Sequence, residues 1–356
     1  MLDNPMAKPQ LSNGSMRAIT FALALIGVGV FLALDLPLPF LFGPMFACLL
    51  AALSGLPLKG FGDISVGART ILGVAVGASI TPALFHQLPT MLVSIAMIPV
   101  FIFAIGAVGV PFFRRIWKLD PTTSYYAAMP GGLQDMVIFG TEAGGDPRAL
   151  SLIHATRVLI IVTIAPFVLT TLYDASLNNP IGTPVADVPL MELVLMAIAA
   201  IGGWKIGARI GLFGASILGP MIATAALSLG DLIHVRPPRE AILFAQFFIG
   251  VGIGVHFVGV TLKELRRFVA AGIAYVALLA VLAEFFSQIV FFFGLGGKVE
   301  AFLAFAPGGQ AEMTVLAIIA GADLGYVVTH HLVRIILVIT GAPLIAGLIK
   351  RSKLRD

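Results

Sequence analysis

Two nine-residue stretches decide the reading of this chain: AMPGGLQDM at Ala128–Met136 and FAPGGQAEM at Phe305–Met313. Pro130 pairs with Pro307, Gly131 with Gly308, Gly132 with Gly309, Asp135 with Glu312, and Met136 with Met313, at a constant offset of 177 residues. The same offset pairs Asp146 with Asp323, His154 with His331, Arg157 with Arg334 and Pro166 with Pro343. It also pairs Gly73 and Gly77 with Gly250 and Gly254, while Gly43-Pro44-Met45 pairs with Gly219-Pro220-Met221 at 176. Apolar helices share Leu, Val and Ala through composition alone. They do not share His, Arg, Asp and Pro in register, so the chain is an internal duplication.

Around these segments the chain is apolar. Of 356 residues 59% are hydrophobic and only 11% charged, with a mean hydropathy of +1.03. Soluble domains carry about 25% charged residues, and a soluble chain this poor in charge could not cover its surface. The expectation is an all-α polytopic membrane protein embedded in the lipid bilayer, a class that excludes soluble enzymes, disordered regulators and secreted disulfide scaffolds. The single cysteine, Cys48, permits neither an intrachain disulfide nor a cysteine metal cluster. Residues 1–16 read as a polar cytoplasmic tail rather than a signal peptide. Residues 17–173 form membrane repeat 1, and the linker DASLNNPIGTPVADVP at 174–189 separates it from repeat 2 at 190–349. A basic cytoplasmic tail covers 350–356.

Each repeat holds six apolar blocks. If the Pro-Gly-Gly block does not complete a crossing, each half crosses five times, both termini are cytoplasmic and the linker is outside. Lys8, Arg17, Lys59, Arg114, Arg115, Lys118, Arg148, Lys205, Arg209, Lys263, Arg266, Arg267 and the C-terminal cations then lie inside. Only Arg236, Arg239 and Lys298 lie outside. This count obeys the positive-inside rule better than six crossings per half. The Arg114–Lys118 and Lys263–Arg267 clusters have no basic equivalents at Phe291–Leu295 and His86–Thr90. Equivalent loops of inverted repeats face opposite sides, which predicts that asymmetry.

Proline removes a backbone donor and Gly-Gly loosens the helix, and freed backbone in a membrane must be buried in protein or face water. Breaks at equivalent points of two halves point to a transporter's binding site; the alternative is a pair of kinked packing helices. The helix-break residues are Pro130, Gly131, Gly132, Pro307, Gly308 and Gly309. Asp135 and Glu312 fall in the first turn after each break, with Gln134 and Gln310 beside them. A carboxylate there caps the helix start or carries a proton or cation; both are compatible. His154 and Arg157 share a helix face, as do His331 and Arg334. A buried Arg needs an anion, and the candidates are Asp135, Asp146, Glu312, Asp323, a half-helix C-terminus or an anionic solute. Glu284, whose equivalent is Ala107, breaks the symmetry mid-block and is expected to face a partner helix, a cavity or a dimer contact. Arg69, equivalent to Gln246, is assigned no role.

The paired GPM, PGG(x)₂(D/E)M and D-x₇-H-x₂-R segments resemble the AbrB-duplication membrane family of bacteria, over about Arg17 to Leu348. The resemblance implies a bacterial inner-membrane protein, distantly similar in architecture to cation/proton antiporters and anion transporters built from inverted repeats. Family members carry regulator and ammonia-monooxygenase labels. An oxygenase needs converging metal ligands, and no such spacing exists among the six His, so no metal or cofactor is expected. A DNA-binding regulator needs a soluble basic module, and none is present. The expected function is therefore not enzymatic: a secondary transporter of a small solute, anionic solutes being favoured, with proton or sodium coupling and a site between the two breaks. The rival is a membrane-embedded sensor acting indirectly on gene expression.

Overall fold

The computed structural model describes residues 12–36, 38–177, 182–212 and 214–352, excepting the side chains of 83–88, 134 and 343–352. Tail residues 1–11 and 353–356, linker residues 178–181 and the side chains of Gln134 and Pro343 thus lie outside the described residues. The described chain is helical. Repeat 1 holds α1 (Asn13–Ala33), α2 (Pro39–Leu53), α3 (Asp63–Gly77), α4 (Pro82–Pro111), α5 (Pro121–Ala128), α6 (Leu133–Glu142) and α7 (Pro147–Leu172). Repeat 2 holds α8 (Leu190–Arg209), α9 (Ala215–Leu229), α10 (Arg239–Val255), α11 (Leu262–Glu264), α12 (Ala270–Phe292), α13 (Lys298–Phe305), α14 (Gln310–Ala320) and α15 (Leu324–Ser352). Among the described residues six helical stretches are long and apolar enough to cross a membrane, three from each repeat. Phe103, Leu190 and Phe292 are at least three-quarters exposed, as lipid-facing side chains are.

The chain divides into two compact units that do not coincide with its halves. The first comprises the described part of Met1–Val66 with Leu243–Val260; the second comprises Gly67–Ile242 with the described part of Thr261–Asp356. Within the first, Gly27 of α1 and Gly43 of α2 meet backbone to backbone, so that a Cβ on Gly27 would fall on the Gly43 carbonyl. Gly250 and Gly254 of α10 lie on Leu41 and Met45 of α2. Within the second unit the same contacts recur. Gly203 of α8 meets Gly219 of α9, and Gly73 and Gly77 of α3 lie on Ile217 and Met221 of α9. The third helix of each repeat is therefore packed on the second helix of the other. In lipid such packing depends on small residues that let backbones approach.

The Pro-Gly-Gly blocks are each two short helices, not one. Asp120 caps α5, accepting from Thr123 N at 2.9 Å, and Pro121 supplies the fixed φ of a first helical residue. Met129, Gly132, Ala306 and Gly309 are extended at the breaks. The amide of Asp146, just past α6, returns to donate to Thr123 Oγ1 in the first turn of α5 at 2.8 Å. In repeat 2 the Asp323 amide donates to Glu300 Oε1 in the first turn of α13 at 3.2 Å. The end of each block is thus tied back to its start, so each block is a helical hairpin. Helices of 8, 10, 8 and 11 residues reach about 12–16 Å, half of an apolar core about 30 Å thick.

Away from the hairpins, His234 in the α9–α10 loop sits between Glu192 Oε1 at 3.3 Å and Asp231 Oδ1 at 3.1 Å. Hydrogen bonds to Glu192 first, and then to Asp231, push its pKa above the ordinary histidine range. A raised folded pKa stabilises fully below the unfolded value of about 6.5 and loses that contribution as pH rises through the folded one. The wild type should therefore lose thermal stability relative to His234→Gln above about pH 6.5, measured by melting in detergent across pH. Gly27→Ala, set against a backbone carbonyl that cannot step aside, should cost about 1–3 kcal/mol. Gly29→Ala, with open space around it, should be within about 0.5 kcal/mol of wild type in the same assay.

Candidate functional site

The P-G-G-x-x-(D/E)-M motif folds back on itself. A Cβ on Gly131 would meet the Met136 side chain at 2.6 Å, and one on Gly308 would meet Met313 at 2.7 Å. The two Met side chains are fully buried and occupy that space. A Cβ on Gly132 would collide with the Asp135 carboxylate, and one on Gly309 with that of Glu312. The first glycine therefore makes room for the methionine and the second for the acid, which lies over the start of its own helix. There the helix dipole favours negative charge. Asp135 and Glu312 are both half-buried.

The carbonyls of each break are held by the neighbouring long helix. Arg157 of α7 donates to Met129 O at 3.1 Å and Gly131 O at 2.6 Å. Arg334 of α15 donates to Ala306 O at 2.7 Å and Gly308 O at 2.9 Å. One turn earlier on each helix, His154 Nε2 bonds Tyr126 O at 3.1 Å and His331 Nε2 bonds Leu303 O at 2.8 Å. A carbonyl can only accept, so in both rings Nε2 carries the proton. His331 Nδ1 then accepts from Arg334 at 2.9 Å, whereas His154 Nδ1 is buried without a hydrogen-bond partner. These four side chains are at most 2% exposed. Of the counter-groups open to the arginines, the structure selects the half-helix C-termini and break carbonyls, not a carboxylate ion pair.

The two hairpin tips share one electrostatic neighbourhood. Arg157 acts on Glu312 of the opposite hairpin, and Arg69 of α3 acts on both Asp135 and Glu312. Gln310, the first residue of α14, has a buried Nε2 with no hydrogen-bond partner, as do the Nε atoms of Arg157 and Arg334. The Gln134 backbone is in the first turn of α6. Asp146 and Asp323 stand apart from the tips. Asp146 caps α7 through Arg148 N and Ala149 N, and Asp323 accepts from Tyr326 N at the start of α15. Glu284 faces a partner helix, accepting from Tyr173 Oη at the end of α7 and from Gln288 Nε2, both at 2.6 Å. His330 turns away from the tips to Tyr326 O at 2.8 Å and Ser94 Oγ at 3.0 Å.

Sequence reasoning left two residues out of this site. Arg69 had a usable signal, being an apolar-block cation replaced by glutamine in the other repeat. Tyr275, which donates to Ala128 O at 2.6 Å and closes the last turn of α5, had none, since its repeat equivalent is Ile98.

Removing a guanidinium leaves two buried carbonyls without donors, at about 1–3 kcal/mol each. Arg157→Ala and Arg334→Ala should each lower stability by about 2–6 kcal/mol, read from thermal unfolding in detergent. Similar losses at the two sites would follow from the duplicated geometry.

Comparison with known proteins gives the chain a family. The chain is 27% identical over 331 residues to the "Putative regulator AbrB" of Escherichia coli (strain K12), covering 91% of this chain and 93% of that protein. It is 26% identical over 292 residues to the "Uncharacterized protein YhjN" of Bacillus subtilis (strain 168), covering 77% and 76%. Residues 40–350 match the family described as transition state regulatory protein AbrB. With most of its length matched, both breaks included, this multi-pass helical chain belongs to the AbrB family.

Proposed function

We propose that the chain is a secondary transporter of a small solute, with its site between the two Pro-Gly-Gly tips. The observation that carries this reading is the pair of helical hairpins. Each presents one half-buried carboxylate just past its break, beside arginines from other helices. Intramembrane acids and broken backbone are costly and mark ion or solute pathways. In this reading Asp135 and Glu312 carry protons or sodium ions. Arg69, Arg157 and Arg334 outnumber them, which favours a solute with a negative group. Arg157 and Arg334 attract it through their field, because their terminal nitrogens already hold carbonyls.

A hairpin that returns to its own side adds no crossing. With α1, α4 and α7 crossing by their own length, and the shorter α2 and α3 counted as two further crossings, each repeat crosses an odd number of times, the repeats are inverted, and both termini are cytoplasmic. The basic clusters then fall inside. An inverted pair joined at the midplane supplies alternating access by rocking one bundle against the other.

A second reading rests on the word regulator in the name of the Escherichia coli relative. The same pocket would then bind a ligand without moving it, and would affect gene expression indirectly.

Reconstitution into proteoliposomes separates the two. With entrapped pyranine and a panel of small carboxylates and amino acids, the wild type should move protons with solute. Asp135→Asn with Glu312→Gln should abolish that coupled flux while eluting and melting as a folded protein. Full flux in the double variant overturns the carrier role of the two acids, and ligand binding without flux in the wild type supports the sensor. Sidedness is checked independently: Cys48→Ser with Asn179→Cys should label from outside intact cells with an impermeant maleimide.

A further inference from the structure

Two short basic runs are left unused by the site: Arg114-Arg115 and Arg266-Arg267. Both lie on π-helical turns, Phe112–Ile116 at the end of α4 and Leu265–Val269 at the start of α12. Such turns are rare in helices and recur at functional positions. They are not copies of one another, because each lacks a basic counterpart at its repeat-equivalent position. The fold nevertheless brings both to the neighbourhood of Tyr275. Phe112 and Phe113, next to the first arginine pair, pack on the Tyr275 ring at 5.7 and 4.7 Å between centroids. Tyr275 lies roughly two helical turns beyond Arg267 on the same helix. Arg148 joins Glu264 beside the second pair at 2.7 Å.

All four arginines, with Lys118 and Lys263, are exposed. Glu264 is held by Arg148 and by the Thr261 cap, which leaves exposed Asp120 as the nearby acid in sequence. Large apolar side chains flank the cations on the outside: Ile116 is 65% exposed and Leu262 is 62% exposed. A surface that is cationic at its head and apolar at its margin matches a phospholipid rather than a free anion. We propose that the two π turns together form a binding surface for an anionic phospholipid headgroup, whose acyl chains lie along Ile116 and Leu262. The binding needs no transport, so it stands apart from the functional reading above.

The test is lipid retention by native mass spectrometry, after detergent-purified protein is mixed with micelles of phosphatidylcholine and phosphatidylglycerol in equal parts. The wild type should retain phosphatidylglycerol selectively. R114Q/R115Q/R266Q/R267Q should retain at least about tenfold less, given the pull of anionic lipid on each surface cation. K205Q/R209Q, which removes two exposed cations elsewhere, should behave as wild type, and melting temperatures of all three confirm folding. Equal retention by the quadruple variant, or equal loss in both variants, overturns the proposal. Displacement of the lipid by millimolar inorganic phosphate would assign the surface to soluble anions and overturn it too.

Discussion

A membrane offers no water to a broken helix, and the rest of this protein is arranged around that constraint. Each Pro-Gly-Gly break frees backbone carbonyls inside an apolar block, where an unpaired polar group costs several kcal/mol. Arg157 and Arg334 answer with two N–H groups each, and His154 and His331 answer one turn earlier. The guanidinium suits the task because it stays charged and presents donors in a fixed fork. Its own burial is offset by the partial negative charge at the end of the preceding half-helix. Break and arginine therefore stabilise each other, and neither is tolerable alone.

That mutual dependence leaves the acids in a distinct situation. Asp135 and Glu312 are not consumed in ion pairs with the helix that holds their hairpin. They lie over glycines at the starts of α6 and α14, half-buried and in the field of Arg69 and Arg157. The residues that hold the breaks and the acids beside the breaks are thus separate groups.

How much of this could be read from the sequence follows from what duplication preserves. Constant spacing revealed the repeat, the breaks, the acids and the His-Arg pairs, because those residues are held in register by the fold. It could not rank Arg partners, since carbonyls are present at every residue and leave no compositional trace. The sequence places a break at Pro130–Gly132 but not the outer ends of the short helices on either side of it. The two short helices, α5 and α6, are set by Asp120 and Gly132 as caps and by Thr123 receiving the Asp146 amide, contacts that hydropathy does not encode. The role of Arg69 was obscured because symmetry was the guide and Arg69 departs from it. Tyr275 belongs to the same class.

The crossing of α3 and α10 between repeats bears on how the chain is made. When residues 1–173 have emerged, α2 still presents the glycine-width groove into which Gly250 and Gly254 will fit, and α3 carries glycines whose partner, α9, has not been synthesised. The first repeat is therefore not a finished folding unit at that moment, although it holds a full set of its helices. Biogenesis has to keep an incomplete half in lipid until the second half arrives. Whatever ancestor gave rise to the duplication would have met the same need by pairing with a second copy of itself.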